Sequence, residues 1–347
     1  MACREFDGQV VRLEGIKDLA DKFVRVRLTR LDSIDLNLFE FDYDLTLMVF
    51  FLSAEGKIYA RYGGRDAHSA DGRQSPAGLH YTMQSVLAMN DRKDKIFAPA
   101  SSEKPTFIRD LAGSSSFGHG CIHCHQVKEI QNDRLQQTGQ WSRDMVWRYP
   151  LPENLGMELE IERGNVMEVK ARSAAARAGL QTGDVVQKLN AVPIHSFADA
   201  QFALDRAPAL GVIPITVRRG ERVVEAKLTL SKGWRKTDIS WRTSMRRLVA
   251  SPHLWGDDLA TPEKKALGLS PRQLAFRQQN SIPPPVQAAG IHGGDIILGV
   301  DDQALDMDVA GFARHIQGYY LVGDRVTVNL IRDGKRLNVS LTFAPAK

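Results

Sequence analysis

Three cysteines, Cys3, Cys121 and Cys124, are the residues of this 347-residue chain whose types and spacing could do chemistry. Two of them fall in Cys121-Ile122-His123-Cys124-His125, just after a glycine-rich run from Gly113 to Gly120. Cys-x-x-Cys-His is the attachment pattern of c-type haem: two thiols form thioethers with the vinyl groups, and the adjacent imidazole ligates iron. On that reading Cys121, Cys124 and His125 hold haem c, with His125 as the metal ligand. Met145, in the run W-S-R-D-M-V-W-R-Y-P, is the candidate sixth ligand, with His119 and Met157 as others. A structural zinc site using the same thiols with His119, His123 or His125, a redox disulfide, and no cofactor at all are the alternatives. Ser114, Ser115 and Ser116 lie in a Gly-Ser loop, and the chain has no Gly-Asn-Ser-Gly-Gly nucleophile loop. The expectation is therefore that the protein is not a protease.

Two elements of the back half repeat. A-A-R-A-G-L-Q-T-G-D-V-V-Q-K-L-N begins at Ala175, and V-Q-A-A-G-I-H-G-G-D-I-I-L-G-V-D begins at Val286. Gly179 aligns with Gly290, Gly183 with Gly294, and Asp184 with Asp295. Glycine at such turns supplies positive φ without a Cβ clash. Apolar runs then predict buried strands over Val185 to Leu189 and Ile296 to Val300. Helical spacing follows, with Phe197, Ala200, Phe202, Ala203 and Leu204 in one copy and Val309, Phe312, Ala313 and Ile316 in the other. Each copy closes on a hairpin marked by Gly220 or by Asp333-Gly334.

Turn, helix and hairpin recurring in order resemble the bacterial PDZ domain, as in high-temperature-requirement proteases and related periplasmic proteins. The resemblance implies peptide or protein C-termini as partners. A peptide adds as a strand beside the second helix, and backbone N–H groups of a preceding loop hold its carboxylate. In the first copy the loop matches Leu155-Gly156-Met157-Glu158-Leu159. In the second, Leu274-Ala275-Phe276 sits nearest the expected place but lacks the glycine.

The front of the chain reads as helix over Arg4 to Phe23, strands over Val24 to Leu28, Leu45 to Leu52 and Ile58 to Tyr62, and helix over Ser75 to Met89. This order resembles a thioredoxin-like fold that lacks its first strand. Cys3 would match the second cysteine of the redox pair, at a helix start where the dipole favours thiolate. The whole chain is similar to bacterial thioredoxin-like/PDZ proteins, some of which use selenocysteine. The resemblance implies that the natural polypeptide begins earlier, supplying the missing strand and a redox residue ahead of Met1. No proline stands at Tyr43-Asp44-Leu45, where thioredoxins carry a cis-proline.

The expected architecture is multidomain, α/β plus α+β. Its parts are a thioredoxin-like domain over 1–98, a Cys-x-x-Cys-His segment over 99–150, a PDZ domain over 151–234, a linker over 235–264 and a second PDZ domain over 265–347. A net charge of +5, spread along the chain, argues against a nucleic-acid surface. No apolar run reaches the ~18 residues of a membrane span. The sequence opens without a signal peptide, whereas haem attachment requires export, so a periplasmic or otherwise exported full-length form is expected. The leading function is an exported thiol-redox or electron-transfer protein, with Cys3 as its catalytic residue and PDZ domains that dock partners. The alternative is a non-catalytic PDZ adaptor with a degenerate thioredoxin-like domain and a zinc or disulfide Cys-x-x-Cys site.

Overall fold

The computed structural model describes residues 16–28, 31, 34–92, 104–111 and 124–345. The chain divides into two compact units, Met1–Lys236 and Thr237–Lys347. The front of the first unit holds a short helix α1 (Lys17–Ala20), strands β1 (Met48–Leu52) and β2 (Ile58–Gly63), and helix α2 (Pro76–Arg92). The strands form an antiparallel pair, a two-stranded sheet among the described residues. Phe51, Ala60, Tyr62, Leu79, Met83 and Val86 bury the face between pair and helix. Helix α3 (Cys124–Gln137) closes a second small cluster with Leu36, Phe41, Tyr43, Leu45, Ile108, Val127 and Ile130.

This front is not a thioredoxin-like domain. A thioredoxin sheet needs several strands around a central one, and among the described residues β1 and β2 pair only with each other. Val24 to Leu28, whose alternation suggested a strand, has no sheet partner among the described residues. It leaves Val24 96%, Val26 75% and Leu28 52% exposed. Arg4 and the rest of the expected first helix before Ile16 lie outside the described residues.

The remainder of the first unit is an α+β module. Its elements are β3 (Met157–Leu159), β4 (Val166–Val169), α4 (Ala174–Arg177), β5 (Val185–Leu189), β6 (Val192–Pro193), α5 (Phe197–Asp205), β7 (Gly211–Arg219) and β8 (Arg222–Leu230). β3 pairs with β4, and a four-stranded sheet runs β6-β5-β7-β8. Helix α5 starts where Ser196 accepts the Asp199 amide, an N-cap bond. Its Ala200, Ala203 and Leu204 join Met157, Leu159, Val186, Ile213, Ile215 and Val217 in one core.

The second unit contains β9 (Ala250–Ser251), β10 (Gly256–Asp258), α6 (Thr261–Ala266), β11 (Phe276–Gln278), α7 (Pro284–Ala288), β12 (Ile296–Val300), α8 (Val309–Tyr319), β13 (Arg325–Arg332), β14 (Lys335–Thr342) and β15 (Ala344–Pro345). Its main sheet runs β10-β11-β12-β13-β14, and its core centres on Phe276, Ile297, Phe312, Ile316 and Val328.

The repeated aspartates are structural. Arg219 grips Asp184 with two bonds of 2.7 and 2.8 Å and donates to the Gly179 carbonyl at 2.8 Å. Arg332 does the same to Asp295, at 2.7 Å twice, and to the Gly290 carbonyl at 2.8 Å. Burial works to raise the Asp295 pKa, but Arg332 and the His292 amide together hold it below the ordinary carboxylate value. Each pair ties the glycine turn to the end of the strand next to the one that the turn leads into.

Candidate peptide-docking site

A peptide can extend a sheet only where a strand turns unused N–H and C=O groups outward. Hydrogen bonds between antiparallel strands alternate, so the residues bonded to the partner reveal those facing away. In the first unit Lys170 N–H donates to the Gly156 carbonyl and Glu160 N–H to the Asn165 carbonyl. Met157 and Leu159, between them, therefore turn their backbone groups away from β4. In the second unit Gln279 N–H donates to the Trp255 carbonyl and Leu259 N–H to the Ala275 carbonyl. Gly256 and Asp258 are then the outward residues of β10, which is the edge strand.

The structure brings Leu155, Gly156, Met157, Glu158 and Leu159 together as one turn and strand. Leu155 ends a 3-10 turn over Pro152–Leu155, and Gly156 follows at φ 81°. A Cβ at Gly156 would lie 2.1 Å from that of Ser173, so only glycine fits there. The Gly156 N–H is used within this turn, on the Glu153 carbonyl at 2.9 Å. Beside Leu155 and Gly156 opens a pocket of about 320 Å³ that also holds Lys170, Arg172 and Arg177.

In the second unit Leu274-Ala275-Phe276 does not stand where Leu155-Gly156-Met157-Glu158-Leu159 stands in the first. That segment leads into β11, which pairs with β10 on one side and β12 on the other and has no free edge. The strand matching β3 is β10, entered from Leu254-Trp255. Helix α6, inserted between β10 and β11, moves it far upstream of the repeat. The Leu-Trp-Gly run at 254–256 was the signal available. A Cβ at Gly256 would lie 1.8 Å from the Arg277 carbonyl, which explains the glycine. At the far end of β10, the Asp258 carboxylate accepts the Val309 N–H at 3.0 Å and so fastens the start of α8. Trp255 stays 39% exposed at the entrance to the strand, and Tyr319 46% exposed at the end of α8.

The other predicted site residues are placed apart from this geometry. Cys3 and Cys121 lie outside the described residues. Cys124 and His125 are the first two residues of α3, and Met145 lies in a 3-10 turn over Arg143–Val146. The Cys124 side chain is half-buried against the cluster of Tyr43, Leu45, Val127 and Ile130. Among the described residues no three His, Cys, Asp or Glu side chains gather as a metal site.

Comparison with known proteins agrees with the paired modules. PDZ-domain profiles match residues 166–219 and 280–343, so the chain contains two PDZ domains. The periplasmic pH-dependent serine endoprotease DegQ of Escherichia coli is 27% identical over 144 residues, 41% of this chain and 29% of DegQ. A probable periplasmic serine protease do/HhoA-like of Haemophilus influenzae is 28% identical over 141 residues, 41% of this chain and 28% of its own. The periplasmic serine endoprotease DegP of Escherichia coli is 26% identical over 150 residues, 43% and 29% of the two chains. The chain thus spans under a third of the length of these curated relatives. Among solved structures, the HtrA-type protease AlgW with tripeptide aligns at a TM-score of 0.28 and 14% identity, over 53% of this chain and 60% of that one. The serine endoprotease of Yersinia pestis aligns at 0.23 and 18% identity, over 39% and 43%.

These findings correct three expectations. The relatives reported above are periplasmic serine proteases, not thioredoxin-like or selenocysteine proteins. Neither an exported thiol-redox function nor its haem-relay form is supported, and the degenerate-thioredoxin adaptor falls with the fold that defined it. The exclusion of a protease is also overturned, since DegQ and DegP are serine endoproteases and the HhoA-like relative is a probable serine protease. That exclusion rested on an absent nucleophile loop and on Ser114, Ser115 and Ser116 lying in a Gly-Ser loop, in a chain that matches only part of each relative.

Proposed function

We propose that this chain docks peptide segments, through its PDZ domains, in the service of serine proteolysis outside the bacterial cytoplasm. The single observation that carries docking is the edge strand β10 of the second unit, with the outward backbone of Gly256 and Asp258 beside α8. An extended segment can add there as a sixth strand, gaining main-chain hydrogen bonds from β10 and side-chain contacts from α8. The proteolytic setting and the export are supported by the similarity to DegQ and DegP, periplasmic serine endoproteases, and to the HhoA-like protein, a probable periplasmic serine protease.

Hydrogen–deuterium exchange of the full chain, titrated with a pool of random heptapeptides bearing free C-termini, tests the docking. Slower exchange at the amides of Gly256 and Asp258 is expected; unchanged exchange there ends this reading. Labelling of the full chain by a fluorophosphonate probe tests whether it carries a reactive serine itself.

A further inference from the structure

The two PDZ helices that should border a docked peptide differ in their surroundings. In α8 of the second unit only Phe312, Ile316 and Gly318 are buried, out of eleven residues. In α5 of the first unit all nine residues are buried. A helix with one side on its own core and one side on an open groove cannot bury every position. Something else covers α5, and it is the front of the same chain.

Arg73 bridges the two banks of the groove. Its guanidinium lies 2.5 Å from a Glu153 carboxylate oxygen, in the turn that leads to Leu155 and Gly156. The same group sits 4.7 Å from the centre of the Phe197 ring, at the start of α5. Asp66 fixes its orientation, accepting from Nε at 2.8 Å. The Gly64 backbone presses on Phe197 so closely that a Cβ would lie 2.9 Å from the ring. Gln201, one turn on from Phe197 and on the same side of the helix, donates its amide to the Tyr149 carbonyl at 3.1 Å.

Another side of α5 is held by β2. The Arg61 N–H donates to Asp199 at 2.9 Å, and the Ser196 hydroxyl donates to the Arg61 carbonyl. The Arg61 guanidinium stacks on Phe202, 3.5 Å from the ring centre.

We infer that the front hairpin and the loop from Gly63 to Gln74 are the resident occupant of the first PDZ groove, latched by Arg73 to Glu153 and Phe197. In this closed state the first unit is shut to peptides, and docking falls to the second. Contact of a peptide with Leu155 to Leu159 then requires the front segment to lift. This inference rests on the docking reading above.

The same peptide-pool titration of the full chain tests it, now read at the outward amides of Met157 and Leu159. Wild type is expected to gain protection at Gly256 and Asp258 and none at Met157 and Leu159. Arg73→Glu places a like charge against Glu153 and is expected to add protection at Met157 and Leu159. Arg73→Lys, which keeps a cation towards Glu153, Asp66 and Phe197, is expected to add none. Should Arg73→Glu fail to fold, Arg73→Met, which keeps the stem and drops the charge, carries the same expectation. Protection at Met157 and Leu159 in wild type overturns the inference, as does its absence in a folded Arg73→Glu or Arg73→Met variant that still protects Gly256 and Asp258. No protection at either strand in any variant removes the docking reading and this inference together.

Discussion

Asp199 is fully buried beneath β2, and burial pushes its pKa up to about 7 against the opposing pull of Arg61 and the amides of Arg61 and His195. In the unfolded chain the same carboxyl has an ordinary value near 3.8. Between those values the folded unit holds a proton that the unfolded chain has released. The contribution of Asp199 to stability is therefore full below about pH 4 and is lost as pH rises to about 7. The full effect is on the order of 4 kcal/mol at most, from roughly three pKa units at 1.36 kcal/mol each. Denaturant melts of the first unit should weaken from pH 4 to 7 in wild type, and Asp199→Asn should flatten that slope. An equal slope in the variant would assign the pH dependence elsewhere. Sequence gave no hint of this residue's role. Asp199 reads as a polar position in a half-apolar helix, and its partner Arg61 is 138 residues away. By contrast Asp184 and Asp295 stood out at once, because the repeat aligned them, although their arginines became visible only when the strands paired.

The outward N–H of Asp258 is the donor that an added strand should use, whereas its side chain does a separate job as the acceptor for Val309. Proline on an edge strand is tolerated where the lost N–H faces away from the sheet. Asp258→Pro should therefore leave the second unit folded and abolish peptide docking. Asp258→Ala should cost only the helix-end bond, about 1 kcal/mol or less, and keep docking. If calorimetry with a peptide selected from the pool shows the proline variant binding like wild type, β10 is not the docking strand. Periodicity made the β1–β2 hairpin and helix α2 legible, since apolar residues recur at spacings of two and then of three to four. It failed at Val24 to Leu28, where V-R-V-R-L alternates like a strand. Alternation reports that one face could be buried, not that a partner exists. It failed again at β10, because Gly256-Asp257-Asp258 has no apolar pattern and earns its place through backbone pairing alone.

Each PDZ domain has a core of its own: Leu155, Met157, Leu189, Leu204 and Val217 in the first, Phe276, Ile297, Phe312 and Val328 in the second. The repeat made these two centres readable, since every domain must close its own apolar interior. What composition and pattern could not show is that the front of the chain shares a compact unit with the first PDZ domain, because that union rests on single long-range partners such as Arg61, Arg73 and Arg148. Arg148, for instance, holds the buried Asp205 of α5 at 2.5 and 2.6 Å while also reaching Glu40 at 3.3 Å. Two cores without shared members should unfold as two transitions. Phe312 is fully buried, so Phe312→Ala should destabilise its own unit by about 3–5 kcal/mol. Scanning calorimetry of the full chain should then show one transition lowered by many degrees and the other in place. Arg61→Ala should do the reverse, lowering the transition of the first unit, where its loss strips Phe202 of its cover and leaves Asp199 without its cation. If Phe312→Ala instead moves both transitions together, the two units fold as one cooperative body, and the first groove could not open while the second stays assembled.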